Sequence, residues 1–284
     1  MSTCKFCGNG DVIGLRKLQS PHSKVSYTLY ECKKCRQRFF MLEEHEISRS
    51  ILKKLYDSQA KQNRNVYTAE FVPGRYWAGE VKRIRGINGK VNSVLDIGCR
   101  TGDFLMHWDN GVERVGVETA ELSADIAESR GLHIIRDFVE NVSFEHDFDV
   151  ISCYALLEHI EKPKQIIDKI KSVCAKNGVV AILVPAFDTW KQRYIWQHRE
   201  KQWHMYSPPE HLNFFTQEWL TEYMSDSFEL VDYRYTSGGM VNPVRNIPVL
   251  SGIGSRIFWY LDNASCVYHM KIFDHLYMYF RKIR

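Results

Sequence analysis

The chain contains no long apolar run. None of its 284 residues belongs to a stretch approaching the roughly 18 apolar positions of a membrane-crossing helix, so no transmembrane segment is expected. Nor is one charge in strong excess. Lys and Arg number 38 against 34 Asp and Glu, a net of +4, which is too mild to point to a nucleic-acid partner. Low-complexity tracts and internal repeats are also missing, which excludes a solenoid. Met1-Ser2-Thr3-Cys4-Lys5 has no hydrophobic leader core, so no signal peptide and a cytoplasmic location are expected. In that setting eight cysteines read as thiols or metal ligands rather than disulfides.

The length suits one full domain with a small appendage, and 44% apolar content supports a large core. The organising stretch is Val94-Leu95-Asp96-Ile97-Gly98-Cys99-Arg100-Thr101-Gly102-Asp103-Phe104-Leu105. An apolar run ends near an acid, turns on glycines and enters a helix-like segment. Open α/β sheets build ligand crevices in this order, at the carboxyl ends of their strands. A second short strand, Val115-Gly116-Val117-Glu118, ends on a carboxylate suited to two ribose hydroxyls. The turn is not the Gly-x-Gly-x-x-Gly of dinucleotide sites, and no Gly-Lys-Ser/Thr follows it. The implied ligand is an adenosyl group without a pyrophosphate.

Two Cys-x-x-Cys knuckles, Cys4-Lys5-Phe6-Cys7 and Cys32-Lys33-Lys34-Cys35, flank a strand-like segment at 25–31. Arg38-Phe39-Phe40-Met41 is its expected return strand. Four thiolates in this spacing suit one tetrahedral Zn²⁺ with no open position, a structural zinc ribbon over residues 1–42. So small a module cannot build its own core, and the ion is expected to hold it folded. Lys33, Lys34, Arg36 and Arg38 read as a solvated face. A linker helix is expected within 43–74, ending at Pro73-Gly74, and another helix over 75–85.

From there strands alternate with helices. Strands are expected at 93–97, 114–118, 133–136, 148–153, 179–184, 228–235 and 274–281. Helices are expected at 102–109, 121–130, 163–175 and 216–225. The alternation predicts an α/β, Rossmann-like, doubly wound sheet with helices on both faces. Two inserts interrupt it, at 185–215 and 237–272. The first is aromatic and holds His198, His204 and His211. No close pair among these has ligand spacing beside an acid, so they are not expected to form a second metal site. The second insert is a dimer face, a substrate wall or a membrane-surface contact.

The glycine turn, the Gly116-Val117-Glu118 strand tip and Phe148-Asp149-Val150-Ile151-Ser152-Cys153-Tyr154-Ala155-Leu156-Leu157-Glu158-His159 together resemble the class I S-adenosylmethionine-dependent methyltransferases. The likeness covers about residues 75–284 and is similar in order to the branch with the ubiquinone-biosynthesis O-methyltransferases. It implies a seven-stranded sheet, mostly parallel, with an antiparallel last strand. It implies that Asp96 and the turn residues Gly98, Cys99, Arg100 and Gly102 hold the methionine end of the cofactor. Glu118 with Thr119 would take the ribose and Asp137-Phe138 the adenine, with Tyr154 beside them. For Asp137 the alternative is a loop carboxylate or helix cap.

Glu158-His159 falls where acceptor and cofactor meet in this family. His159 is a general base there, or a structural cap before Pro163. His211 lies in Pro209-Glu210-His211-Leu212-Asn213-Phe214-Phe215-Thr216, which resembles a recurring stretch of this branch and is expected to form a lid. Glu158, His159 and His211 are the catalytic candidates. One departure stands out: Arg100 replaces the usual middle glycine of the turn. Its side chain crowds the cofactor, points away, or pairs with the cofactor's carboxylate.

The expected activity is methyl transfer to a small molecule or sugar precursor, by O-methylation or by C-methylation of a nucleotide sugar. A homodimer is compatible with this. The rivals are a nucleic-acid methyltransferase that uses the ribbon as reader, and a non-catalytic protein disabled by Arg100. An Asn-Pro-Pro-Tyr-type motif would favour the former; Cys153-Tyr154-Ala155-Leu156 is not one.

Overall fold

The computed structural model describes residues 3–20, 24–41, 74–197, 203, 205–236, 269–271 and 273–284. The expected linker helix, apart from Gly74, and nearly all of the 237–272 insert lie outside these residues, as do His198 and His204. No described helix is long and apolar enough to cross a membrane.

The strands are β1 (Val12–Gln19), β2 (Ser26–Cys32), β3 (Arg38–Phe40), β4 (Ser93–Ile97), β5 (Glu113–Val117), β6 (His133–Ile135), β7 (Phe148–Tyr154), β8 (Cys174–Pro185), β9 (Asn213–Phe214), β10 (Phe228–Thr236) and β11 (His275–Lys282). The helices are α1 (Gly74–Asn88), α2 (Glu121–Ser129), α3 (Pro163–Val173), α4 (Trp190–Gln197) and α5 (Gln217–Met224). Seven strands form the main sheet in the order β10-β11-β8-β7-β4-β5-β6. The β6, β5, β4, β7 and β8 strands run parallel, and β11 is antiparallel to both neighbours.

Both faces of this sheet are buried, with the period-two alternation of a strand. Along β8, Val180, Ile182 and Val184 enter one core while Val179, Ala181 and Leu183 enter the other. The first core receives Ile166, Ile167 and Ile170 of α3 and Leu220 and Met224 of α5. The second receives Val81 and Ile84 of α1 and Ala124 and Ala127 of α2. A buried ion pair between Arg234 and Glu80, with Tyr279 Oη donating to Glu80 at 2.6 Å, ties α1 to the antiparallel end of the sheet.

The helix expected at 102–109 is instead a single 3₁₀ turn, Leu105–His107. Its local hydrogen bonds explain this. The His107 ring pairs through Nδ1 with the carbonyl of Asp103 at 2.8 Å, the acceptor an α-helix would use for the His107 amide. That amide bonds the Phe104 carbonyl at 3.2 Å instead, closing the tighter ring of a 3₁₀ turn.

The N-terminal hairpin departs from a free-standing ribbon. Its sheet has four strands, β1-β2-β3-β9, and β9 comes from the 185–215 insert. Arg38 pairs with Phe214 and Phe39 with Asn213. Cys4, Phe6, Cys32 and Phe39 belong to the same core as Phe215 and Trp219. Phe6 meets the rings of Phe215 and Trp219 edge-on at 5.4 and 5.0 Å. The module buries its apolar face on the larger unit, which supplies what so short a hairpin cannot.

Candidate active site

β4 and β5 end side by side, and the turn after β4 folds back on the β5 tip. Gly98 and Cys99 both donate their N–H to the Val117 carbonyl, at 2.8 and 3.2 Å. Gly116 permits this approach, since a Cβ there would sit 2.5 Å from Cys99 Sγ. The turn has positive φ at Gly98 (76°), Arg100 (50°) and Gly102 (76°). Arg100 therefore adopts the left-handed backbone that a glycine would take, at a cost of roughly 1–2 kcal/mol. Its side chain is exposed.

Glu118 lies at the tip of β5, 9% exposed. Its Oε2 accepts from the Arg100 N–H at 2.9 Å and its Oε1 from the Ala120 N–H at 2.7 Å. Burial pushes its carboxyl up, opposed by main-chain N–H groups including those of Ala120, Arg100 and Thr119. A carboxylate has about four acceptor positions, so these N–H groups leave it capacity to accept from a diol. Asp96 is buried and accepts from Ser152 Oγ at 2.7 Å. Burial raises it to about 7, the Ser152 hydrogen bond opposing and the Glu118 charge adding. Cys99 is buried and its thiol is pushed up, first by burial and then by Asp96 and Glu118.

Tyr154, at the end of β7, packs against Phe104, Trp77 and Tyr277 at 5.2, 5.4 and 6.0 Å. Its buried hydroxyl has no partner among the described residues, and burial drives it well above the usual phenol range. The Asp137 carboxylate accepts from the Phe138 N–H at 2.6 Å and from Asn141 Nδ2 at 2.9 Å, the pattern of a local turn.

Glu158 and His159 converge with His211 although α3, β8 and α4 separate them in sequence. Their ligand atoms all lie within 4.8 Å of one another. His159 Nε2 is 3.9 Å from Glu158 Oε1, and the two imidazole centroids are 4.6 Å apart. Desolvation lowers both histidines, His159 to about 3, so both rings are neutral. Glu158 is pushed up to about 8, by burial first and by the Glu210 charge, with Arg100 opposing. The Arg100 charge is felt weakly at Glu118, Glu158 and His159.

The residue that assembles this half is Asn213, which the sequence did not single out. Its Nδ2 donates to the carbonyls of Leu157, at 3.0 Å, and Ile160. Its main-chain N–H and that of Leu212 both reach the Glu158 carbonyl, at 3.1 and 2.6 Å. The only sequence signal was its place in the Pro209–Thr216 stretch. Ser152 and Glu210 were likewise missed.

At the ribbon, Cys4 and Cys35 Sγ lie 3.5 Å apart and Cys7 and Cys32 Sγ 3.6 Å apart, with all four within 4.8 Å. A tetrahedral ion with Zn–S bonds of about 2.3 Å needs sulfurs at about this spacing. Cys4 is drawn down to about 5 chiefly by the Cys35 thiol, which is itself pushed up. One shared site can therefore hold one ion.

The methyltransferase-domain family model matches residues 68–230, more than half of the chain. A ubiquinone biosynthesis O-methyltransferase of Actinobacillus pleuropneumoniae is 34% identical over 112 residues, covering 35% of this chain and 47% of that protein. The chain thus spans about half the length of the curated relatives it matches. An N-methyltransferase of Bradyrhizobium japonicum, solved with S-adenosylhomocysteine, superposes with a TM-score of 0.53 at 14% identity, covering 82% of this chain and 99% of that one. A 1,6-didemethyltoxoflavin N1-methyltransferase of Burkholderia thailandensis gives 0.54 at 16% identity, covering 89% and 98%. These likenesses show the fold. With the family match, the sheet order and the β4–β5 turn, they make this chain a member of the class I methyltransferase-domain family.

Proposed function

We propose that the protein transfers a methyl group from S-adenosylmethionine to a small-molecule acceptor, by O-methylation. The observation that carries this is Glu118. It is a buried carboxylate at a strand tip, fixed by two main-chain N–H groups and keeping lone pairs for the ribose hydroxyls. Gly98, Cys99 and Gly102 shape the turn against which the methionine end would lie, beside Asp96. Arg100, exposed on the turn, would pair with the methionine carboxylate. Thr119, Asp137, Phe138 and Tyr154 would line the adenosine.

When bound, the cofactor supplies a methyl group already activated by its positive sulfur. The chain's own residues then have to align the acceptor and dispose of its proton. Glu158, His159 and His211 are the groups for that task, and their desolvation strengthens any charge they meet. Neutral imidazoles offer a ring-nitrogen lone pair to the acceptor's hydroxyl hydrogen. The names of the curated relatives favour an oxygen acceptor.

The tetrathiolate cluster would hold a structural Zn²⁺, and free thiols suit a reducing, cytoplasmic setting. Through β3 and β9 the ribbon would brace the acceptor side of the site. Isothermal titration with S-adenosylmethionine tests the core reading: saturable heat in the wild type that is lost in Glu118→Ala. No heat in the wild type would refute it.

A further inference from the structure

The geometry points to a second metal site: Glu158, His159 and His211 form a two-histidine, one-carboxylate set for a divalent first-row transition-metal ion at the acceptor end of the cleft. The inference rests on the methyltransferase reading and names what orients the acceptor.

Three observations carry it. First, one ligand atom from each residue falls within a sphere that a single ion can span, the atoms all lying within 4.8 Å of one another. Second, both imidazoles are tethered as metal-ligating histidines are. His159 Nδ1 pairs with the Glu210 carbonyl at 2.8 Å and His211 Nδ1 with the Met205 carbonyl at 2.9 Å. A carbonyl can only accept, so each ring carries its proton on Nδ1 and its lone pair on Nε2. Third, Glu158 is 2% exposed, and its buried Oε2 has no hydrogen-bond partner among the described residues. A buried carboxylate oxygen with no donor is costly unless a cation satisfies it.

The ligand types narrow the ion. Two imidazoles and a carboxylate suit zinc, iron, manganese or cobalt over calcium or magnesium, and three protein ligands leave positions open. This differs from the ribbon, whose four thiolates close their shell. An acceptor hydroxyl would take an open position. Its O–H proton would pass to water, and the metal-bound oxygen would form the new C–O bond as the C–S bond breaks, with that electron pair returning to sulfur. The imidazoles then hold the ion in place of a proton. An acceptor with two adjacent oxygens would chelate it.

The test counts ions in the full chain, so it does not depend on knowing the acceptor. Chelator-stripped, reduced protein is titrated with Co²⁺. The expected result is two equivalents: one with intense thiolate-to-cobalt charge transfer, and one with only the weak bands of nitrogen and oxygen ligands. Glu158→Gln and His211→Gln each weaken the second equivalent by more than about tenfold and keep the first. Circular dichroism checks that the variants stay folded, and His159→Gln serves if either does not. Uptake of a single, thiolate-bound equivalent by the wild type would overturn the inference. So would a second equivalent that survives all three substitutions. Binding of S-adenosylmethionine, measured by calorimetry on the same preparations, reports separately on the methyltransferase reading.

Discussion

Gln37 and Thr216 exchange two hydrogen bonds across the seam between the cysteine hairpin and the main sheet. Gln37 Nε2 donates to Thr216 Oγ1, and the Thr216 N–H donates to Gln37 Oε1, both at 3.1 Å. Thr216 is also the N-cap of α5, accepting from the Trp219 N–H at 3.2 Å. Gln37, two residues beyond the second cysteine knuckle, thus holds the start of a helix that packs under the main sheet. Gln37→Ala leaves the half-buried Thr216 N–H without its acceptor. A loss of about 1–3 kcal/mol is expected in urea unfolding.

The same seam predicts a response to metal removal. Chelation under reducing conditions, or Cys32→Ser, should lower the melting temperature and loosen β3 and β9 together. Hydrogen exchange at Phe40, whose N–H donates to the Leu212 carbonyl at 2.9 Å, would read this directly. Unchanged protection after complete metal loss would separate the ribbon from the site.

Asn213→Ala should act on the Glu158 loop. It removes the donor to the buried Leu157 carbonyl and the half-buried Ile160 carbonyl and leaves both acceptors short. The expected outcome is a stability loss of about 1–3 kcal/mol with S-adenosylmethionine affinity preserved, since the β4–β5 half is untouched. Calorimetry beside a urea melt checks both.

Arg100→Gly should keep the turn, because glycine adopts the same backbone freely. Removing the guanidinium should weaken S-adenosylhomocysteine about tenfold, the value of one charge-assisted hydrogen bond at roughly 1.5 kcal/mol. Unaltered affinity would show that Arg100 does not touch the methionine carboxylate.

Asp96 gives a pH dependence. Burial raises its carboxyl from 3.8 to about 7, so the unfolded chain releases this proton more readily than the folded one. Its contribution to stability is full below about pH 4 and falls as pH rises toward 7, by on the order of 4 kcal/mol. Asp96→Asn keeps an acceptor for Ser152 Oγ and removes the proton. Urea melts should show a shallower decline between pH 4 and 7 in the variant than in the wild type.

Much of this was legible in the chain. Val179–Val184 is a continuous apolar run that suits a sheet buried on both sides, Val94–Ile97 is apolar but for Asp96, and Glu118 stands where a strand tip must place it. The 102–109 segment misled because its apolar residues suit a helix, while the bond from His107 to the Asp103 carbonyl is invisible to periodicity. β1 was overlooked because its exposed residues carry no strong alternation.

By itself the sequence determined the sheet, the glycine turn, the acid at its neighbouring strand and the four-thiol cluster. Each is written in local spacing, and local spacing dictates which side chains share a face or a knuckle. Only the tertiary structure decided that His211 meets Glu158 and His159, and that β9 completes the cysteine hairpin. Those contacts join segments far apart along the chain, and their position depends on how buried surfaces pack rather than on any short-range pattern.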